Sequence, residues 1–261
     1  MRDPKKIQSV VRGLGILELF GKDSPSQTLT EIAAKIGLNK TTTQRFLYTL
    51  VWLGYLKRQE DKKYILAPKV ISLGFSFLSS CNLLEKAESY LLKLSSYLNK
   101  TVNLAILDDI DTLFIYRKEV KIFLKFDLPP GSKLPAYAGS LGKVLLAGLN
   151  DEALKERIGR KKFYSITPKT ISSQKALWQD ILKTRKRGYG ICDQELSMDL
   201  YSVAVPLINK DGEVVAAINV SMEHKYKFKQ HLKLIIKELI KAGQSISSIL
   251  GYEGQYPRFR K

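Results

Sequence analysis

The stretch LTEIAAKIGLNKTTTQRFLYTLVWLGYLKR, from Leu29 to Arg58, limits the folds open to this chain more than any other. Thr28, just before it, stands at capping-box spacing from Glu31. The hydroxyl can accept from a first-turn amide while the carboxylate reaches back to the cap. A short helix is predicted over Leu29 to Ile36, stopped at Gly37. Asn39 is a plausible cap for the next helix, because its side-chain oxygen can satisfy a free amide. That helix carries Phe46, Leu47, Leu50 and Leu53 on one stripe and ends at Gly54. Upstream, Ile7 to Phe20 sets Val10, Leu14, Leu17 and Phe20 on one helical face, and GKDSPSQ breaks the helix. Downstream, YLKRQEDKKYILAP reads as a strand, a tight turn at Glu60–Asp61, and a second strand ending before Pro68. Helix, helix, turn, helix and hairpin make a winged helix-turn-helix over residues 1–68.

Lys40, Thr41, Thr42, Gln44, Arg45 and Tyr48 avoid the apolar stripe of the third helix. They form either an ordinary solvated face or the tip of a helix that enters a DNA groove. The residue types suit the second role. Glutamine pairs bidentately with adenine and arginine with guanine, and threonine offers a hydroxyl or a methyl. Arg58, Lys62 and Lys63 on the wing, with Arg2, Lys5 and Lys6 in the N-terminal arm, suit phosphate contacts that position without specifying.

Charge agrees without locating the interface. The chain holds 43 Lys and Arg against 25 Asp and Glu, a net charge of +18. Residues 1–80 hold 13 against 6, and the remaining 181 residues hold 30 against 19. Such an excess attracts polyanions, nucleic acid first and anionic membrane surfaces second, although a Lys-rich solvated surface has the same composition. The only cysteines, Cys81 and Cys192, make no disulfide framework and fit a reducing cytosol. MRDPKKIQSV lacks the apolar core of a signal peptide. The longest apolar runs are about half the ~20 residues that span a bilayer. A cytoplasmic protein with no membrane partner is expected.

Beyond the wing, Val70 to Ser79 reads as a linking helix within residues 69–80. Asn82 to Leu98 is an amphipathic helix with Leu83, Leu84, Ala87, Tyr90, Leu91, Leu94 and Leu98 inward. TVNLAIL and TLFIYRK alternate as strands around Asp108–Asp109, and KIFLKFDL reads as a third strand. Helices follow at KVLLAGL, DEALKERI and Ile171 to Lys186. YGICDQ, YSVAVPLI and EVVAAINVSM are strands, the last two joined at Asp211–Gly212, a strong hairpin signal. A final helix runs from about Lys227 to Leu250, with Leu232, Ile235, Ile236, Leu239 and Ile240 inward. The pattern is α+β on an antiparallel sheet, over residues 81–252, with a basic tail at 253–261.

On IQSVVRGLGILELF, LTEIAAKIGLNKTTTQRFLYTLVWLGYLKR, TVNLAILDD, PPGSKLPAYAGSLGKVLLAGL, RKRGYGICDQE, YSVAVPLINKDGEVVAAINVS and AGQSISSILGY, the chain resembles the IclR family of bacterial transcriptional regulators. LPAYAGSLGK and GYGICDQE…AVPL are the specific segments. The resemblance implies a DNA-binding domain, a linker helix and a small-molecule-sensing domain of GAF-like shape. It also implies homodimers or homotetramers on palindromic operators in double-stranded DNA, commonly beside a catabolic operon. It sets the effector between the helix start at Gly139–Ser140 and the sheet. Phe123, Phe126, Leu134, Ser140 and Leu141 would line one side, and Cys192, Ser202, Asn219 and Ser221 the other. This chain departs from the family at Tyr137, Cys192, Ser202 and Asn219, where His, an acid, Cys and Ser are common. Two phenylalanines and no acid could favour an aromatic acid, but both phenylalanines could equally be sheet core.

The segment GSLGKVLLAG is not a phosphate loop, because Tyr137 and Val144 stand where glycine and Ser/Thr are needed. Its helix start instead suits a small carboxylate, with no arginine required. No catalytic set emerges. His224 and His231, read as lying on one helix, would be roughly 10 Å apart, too far to share an ion. No metal, cofactor or enzymatic activity is expected. An enzyme acting on a small acid would need an acid/base pair in the pocket, and a protein that coats DNA would bind operator and random sequence equally.

Overall fold

A computed structural model describes residues 5–80, 82–120, 128–159, 162–224 and 231–259. The chain divides into two compact units, residues 1–80 and residues 81–261.

The first unit is α1 (Gln8–Glu18), β1 (Ser26–Thr28), α2 (Leu29–Ile36), α3 (Lys40–Trp52), β2 (Leu56–Arg58), β3 (Lys63–Leu66) and α4 (Lys69–Ser80). The capping box at α2 is formed: Glu31 N–H donates to Thr28 Oγ1 at 3.3 Å, and Thr28 N–H donates to the Glu31 carboxylate at 2.7 Å. Gly37 ends α2 in the left-handed region at φ 69°, where a β-carbon would strain the backbone. Thr42 N–H then donates to Asn39 Oδ1 at 2.8 Å, capping α3. Ile16, Ile32, Leu47, Leu50, Leu56 and Tyr64 form the core. Ile32 is fully buried, which stabilises by about 1.5–3 kcal/mol.

Two expectations change here. Val10 and Leu14 are 54% and 55% exposed, while Ile16 is the buried residue of α1 and Phe20, just past its end, is buried with it. The three-helix core reaches only the C-terminal half of α1. Leu53 is also exposed, because it lies past the last turn of α3. The wing has a third strand that periodicity could not reveal: β1 pairs with β3, giving the order β1-β3-β2.

The second unit contains α5 (Asn82–Leu98), β4 (Thr101–Asp108), β5 (Asp111–Lys118), β6 (Lys133–Pro135), a 3-10 turn (Ala136–Ala138) and α6 (Ser140–Ala147). There follow α7 (Asp151–Gly159), α8 (Gln174–Arg187), β7 (Gly190–Asp193), β8 (Leu200–Ile208), β9 (Val214–Glu223) and α9 (Leu232–Ile249). Among the described residues the six strands are antiparallel, in the order β6-β5-β4-β9-β8-β7. Every residue of β8 is buried, so both sheet faces are covered there. On one face, Ala105, Ala204 and Ala217 leave room for Leu141, Val144 and Leu145 of α6. Gly142 is required by that packing, since a β-carbon would lie 2.2 Å from the Ala136 carbonyl oxygen.

Of KIFLKFDL, residues 121–127 lie outside the described residues, and Leu128 is buried outside any strand. The strand after it is β6, which the Pro- and Gly-rich sequence concealed. His224 directly follows β9 while His231 sits at the start of α9, so the expected placement of both on one helix does not hold. Nor does the C-terminal stretch hang free: Tyr256 donates to the Pro206 carbonyl at 2.6 Å, and Phe259 is buried in the domain core. Among the described residues no helix is long and apolar enough to cross a membrane.

Candidate DNA-reading face and effector cavity

The start of α3 is displayed rather than packed. Lys40, Thr41, Gln44 and Arg45 are exposed, Tyr48 is 73% exposed, and Thr42 is half-buried beside the Asn39 cap. Thr43, between them, is fully buried, with its hydroxyl donating to the Asn39 carbonyl at 3.0 Å. The helix thus turns one threonine inward as an anchor and presents its neighbours outward. Within the wing, the Arg58 guanidinium lies 5.9 Å from the centre of the Tyr64 ring. Lys63 pairs with Asp61 at 3.2 Å, while Lys62 is exposed at the turn with φ 63°. Lys5 and Lys6 are exposed, and Arg2 lies outside the described residues.

In the second unit a cavity opens between the sheet and the start of α6, with about 400 Å³ of free space including its solvent-open mouth. Leu134, Ser140, Leu141, Ser202, Asn219 and Ser221, all singled out in the sequence, line it together. Phe123 and Phe126 lie outside the described residues. Cys192 stands apart from the lining. It is fully buried and its thiol donates to the Ala138 carbonyl at 3.3 Å, one strand beyond Ser202. Burial and the nearby Glu195 push that thiol up to about 11, so it stays protonated at neutral pH.

The remaining lining was not legible in the sequence: Asn103, Thr112, Phe114 and Arg117 on β4 and β5, with Leu128, Pro135, Leu196 and Leu200. A register shift explains Arg117. Leu104 pairs with Tyr116 and Ala105 with Phe114, so Ile115 is extruded as a bulge. On a regular strand, Arg117 would face away from Thr112 and Phe114, because faces alternate with period two. The bulge returns it to their side.

A buried chain of hydrogen bonds then crosses the sheet. Ser140 and Ser202 hydroxyls lie 2.7 Å apart, and Asn219 Nδ2 donates to Ser140 Oγ at 3.4 Å. Asn103 Nδ2 donates to Asn219 Oδ1 at 2.7 Å, and Arg117 Nη1 donates to Asn103 Oδ1 at 3.0 Å. Arg117 Nη2 pairs with Glu119. Two buried atoms in the lining have no hydrogen-bond partner among the described residues, Arg117 Nε and Thr112 Oγ1. Such orphans are uncommon in native interiors and call for an explanation.

Behind the cavity, Lys143 of α6 is 1% exposed. Its Nζ lies 2.6 Å from Glu195 Oε1, 2.9 Å from Asp180 Oδ2 and 3.0 Å from the Ile191 carbonyl. These contacts join α6, α8 and the loop that supplies Leu196. Burial pushes the Glu195 carboxyl above its usual value, with Lys143 opposing. Among the described residues no group of His, Cys, Asp and Glu could hold a metal ion.

Fold and sites together define a regulator that carries a DNA-binding helix-turn-helix and an effector-binding domain on one chain. Residues 9–60 match the IclR helix-turn-helix domain, and residues 75–248 match the bacterial transcriptional regulator IclR C-terminal model. The Pca regulon regulatory protein of Pseudomonas putida is 36% identical over 220 residues, 84% of this chain and 75% of its own. The transcriptional regulator XynR of Escherichia coli is 32% identical over 247 residues, 94% of this chain and 98% of its own. The crystal structure of a Rhodococcus transcriptional regulator superposes with a TM-score of 0.80 at 34% identity, covering 94% of this chain and 99% of that one. The chain belongs to the IclR family of bacterial transcriptional regulators, which is not a family of enzymes.

Proposed function

We propose that the protein binds a palindromic operator as a dimer or dimer of dimers, and that a small carboxylic acid in the cavity of the second unit changes that binding. The observation that carries this reading is the cavity itself, with its apolar walls, buried polar row and helix start. First-turn amides of α6 have no intrahelical acceptor and point at the ligand's carboxylate. Lys40, Thr41, Thr42, Gln44, Arg45 and Tyr48 read bases, while Arg58, Lys62, Lys63, Lys5 and Lys6 hold phosphates.

Self-association is supported by apolar side chains that their own unit leaves uncovered. Ile7 just before α1, Val10 and Leu14 on it, and Ile71, Leu73 and Phe75 on α4 are each more than half exposed. Exposed apolar faces of this kind commonly mark interaction surfaces. The effector acts by binding DNA-competent and DNA-incompetent arrangements with different affinities, since equal affinities shift nothing. The controlled genes are a catabolic operon for the acid or its precursor.

Fluorescence anisotropy on DNA from the gene's own neighbourhood, with sedimentation analysis of the free protein, tests the reading. A symmetric site bound far more tightly than random DNA at matched salt, by an even-numbered oligomer, is expected. Equal affinity for both DNAs would identify a DNA-coating protein instead.

A further inference from the structure

We infer that Arg117 selects the second end of a two-ended ligand, so that the cavity takes a dicarboxylic acid. One carboxylate lies on the first turn of α6 and the other on the Nε–H of Arg117. The inference rests on the reading of this cavity as the effector site.

Arg117, Asn103 and Asn219 stand in direct register on three neighbouring strands. Strands are spaced at about 4.8 Å, which puts the backbones of Arg117 and Asn219 about 10 Å apart. Asn219 reaches Ser140 at the start of α6. The cavity therefore has a helix N-terminus at one end and an unsatisfied guanidinium N–H at the other, joined by a bridge of uncharged amides. Arg117 is the one charged side chain among the described lining residues. Its side chain is only 7% exposed. Asn103 and Glu119 occupy the two terminal nitrogens and fix the plane of the group. Nε–H is left without an acceptor among the described residues. A buried donor on a charged group is costly to leave unpaired, and an acceptor brought in through the cavity removes that cost. A monocarboxylate on α6 would leave it in place. The bulge at Ile115 turns this cation to the cavity side of the strand.

The test is calorimetric binding to the full chain of succinate, adipate and terephthalate, each beside its own monoamide, which keeps one carboxylate and nearly the same shape. At least one diacid should bind, about tenfold or more tighter than its monoamide, as one charge-assisted hydrogen bond provides. In Arg117→Gln the diacid should fall toward the affinity of the monoamide, while the monoamide, whose neutral carbonyl is the weaker acceptor, should lose less. Arg117→Lys, which keeps the charge, should lie between the two, and melting of both unliganded variants checks that they fold. Diacid and monoamide binding wild type equally would overturn the role of Arg117 while leaving the cavity reading intact. Binding by none of the six compounds would overturn the dicarboxylate assignment. Undiminished diacid binding to Ser202→Phe, which fills the cavity, would instead bring down the underlying reading.

Discussion

Asn103 donates from Nδ2 to Oδ1 of Asn219 over 2.7 Å, joining residues 116 positions apart in the chain. Its own oxygen accepts from Arg117, so this one amide holds both ends of the polar row. Asn103→Ala would strand the Asn219 oxygen and an Arg117 nitrogen in the interior. Each buried orphan costs about 1–3 kcal/mol. Urea unfolding should show a loss of about 2–6 kcal/mol for the two together, and Asn103→Asp should recover the part due to Arg117. An unchanged urea midpoint in the alanine variant would show that the row carries no stability.

Lys143 is enclosed by two carboxylates. Removing its charge in Lys143→Met leaves them buried together, a loss of about 3–5 kcal/mol near neutral pH. The pH dependence follows from Glu195, whose carboxyl is raised by burial and lowered by Lys143. A carboxyl with a folded pKa above its unfolded value binds protons more readily in the folded state, so stability falls as pH rises from the unfolded toward the folded value. Without Lys143 the folded value rises further. The deficit of Lys143→Met should therefore shrink on acidification, and a deficit that stays constant with pH in thermal melts would contradict this account.

On DNA, Arg45→Ala should weaken binding unequally across single-base operator variants, by about 1–3 kcal/mol where the guanidinium meets a base. Lys62→Ala should weaken binding uniformly and flatten the salt dependence. Anisotropy titrations at several salt concentrations separate the two. Equal losses on every sequence with Arg45→Ala would remove its base-reading role.

The capping box of α2 offers a local check. Thr28→Ala removes the acceptor for Glu31 N–H and one partner of the Glu31 carboxylate. A loss of about 1 kcal/mol is expected, largely restored by Thr28→Ser. Hydrogen exchange of the α2 amides should report it, and protection equal to wild type would show that packing alone holds the helix.

Much of this architecture was legible from residues close together in the chain. The bounds of α2 and α3 follow from Thr28, Glu31, Gly37 and Asn39, each acting within one turn. The β8–β9 hairpin follows from Asp211–Gly212. Ser140, Ser202, Asn219 and Ser221 came through family resemblance, not through any pattern of their own. Val10 and Leu14 obey helical periodicity and are still exposed, because periodicity identifies an apolar face without saying whether this unit covers it. Cys192 alternates with its neighbours as a cavity residue would, but the 3-10 turn covers it.

Local chemistry in the sequence therefore determined the winged helix, the order of helices and strands, and the polar start of α3. Caps, left-handed glycines and side-chain periods act over a few residues and can be read directly. Only the tertiary structure decided the character of the cavity. The bulge at Ile115 reverses the side on which Arg117 lies, and its partners come from strands distant in sequence. Lys143 meets Glu195 only because α6 packs against the loop that carries it. Register and packing of this kind are set by the sum of many long-range contacts, and no short stretch of the chain contains them.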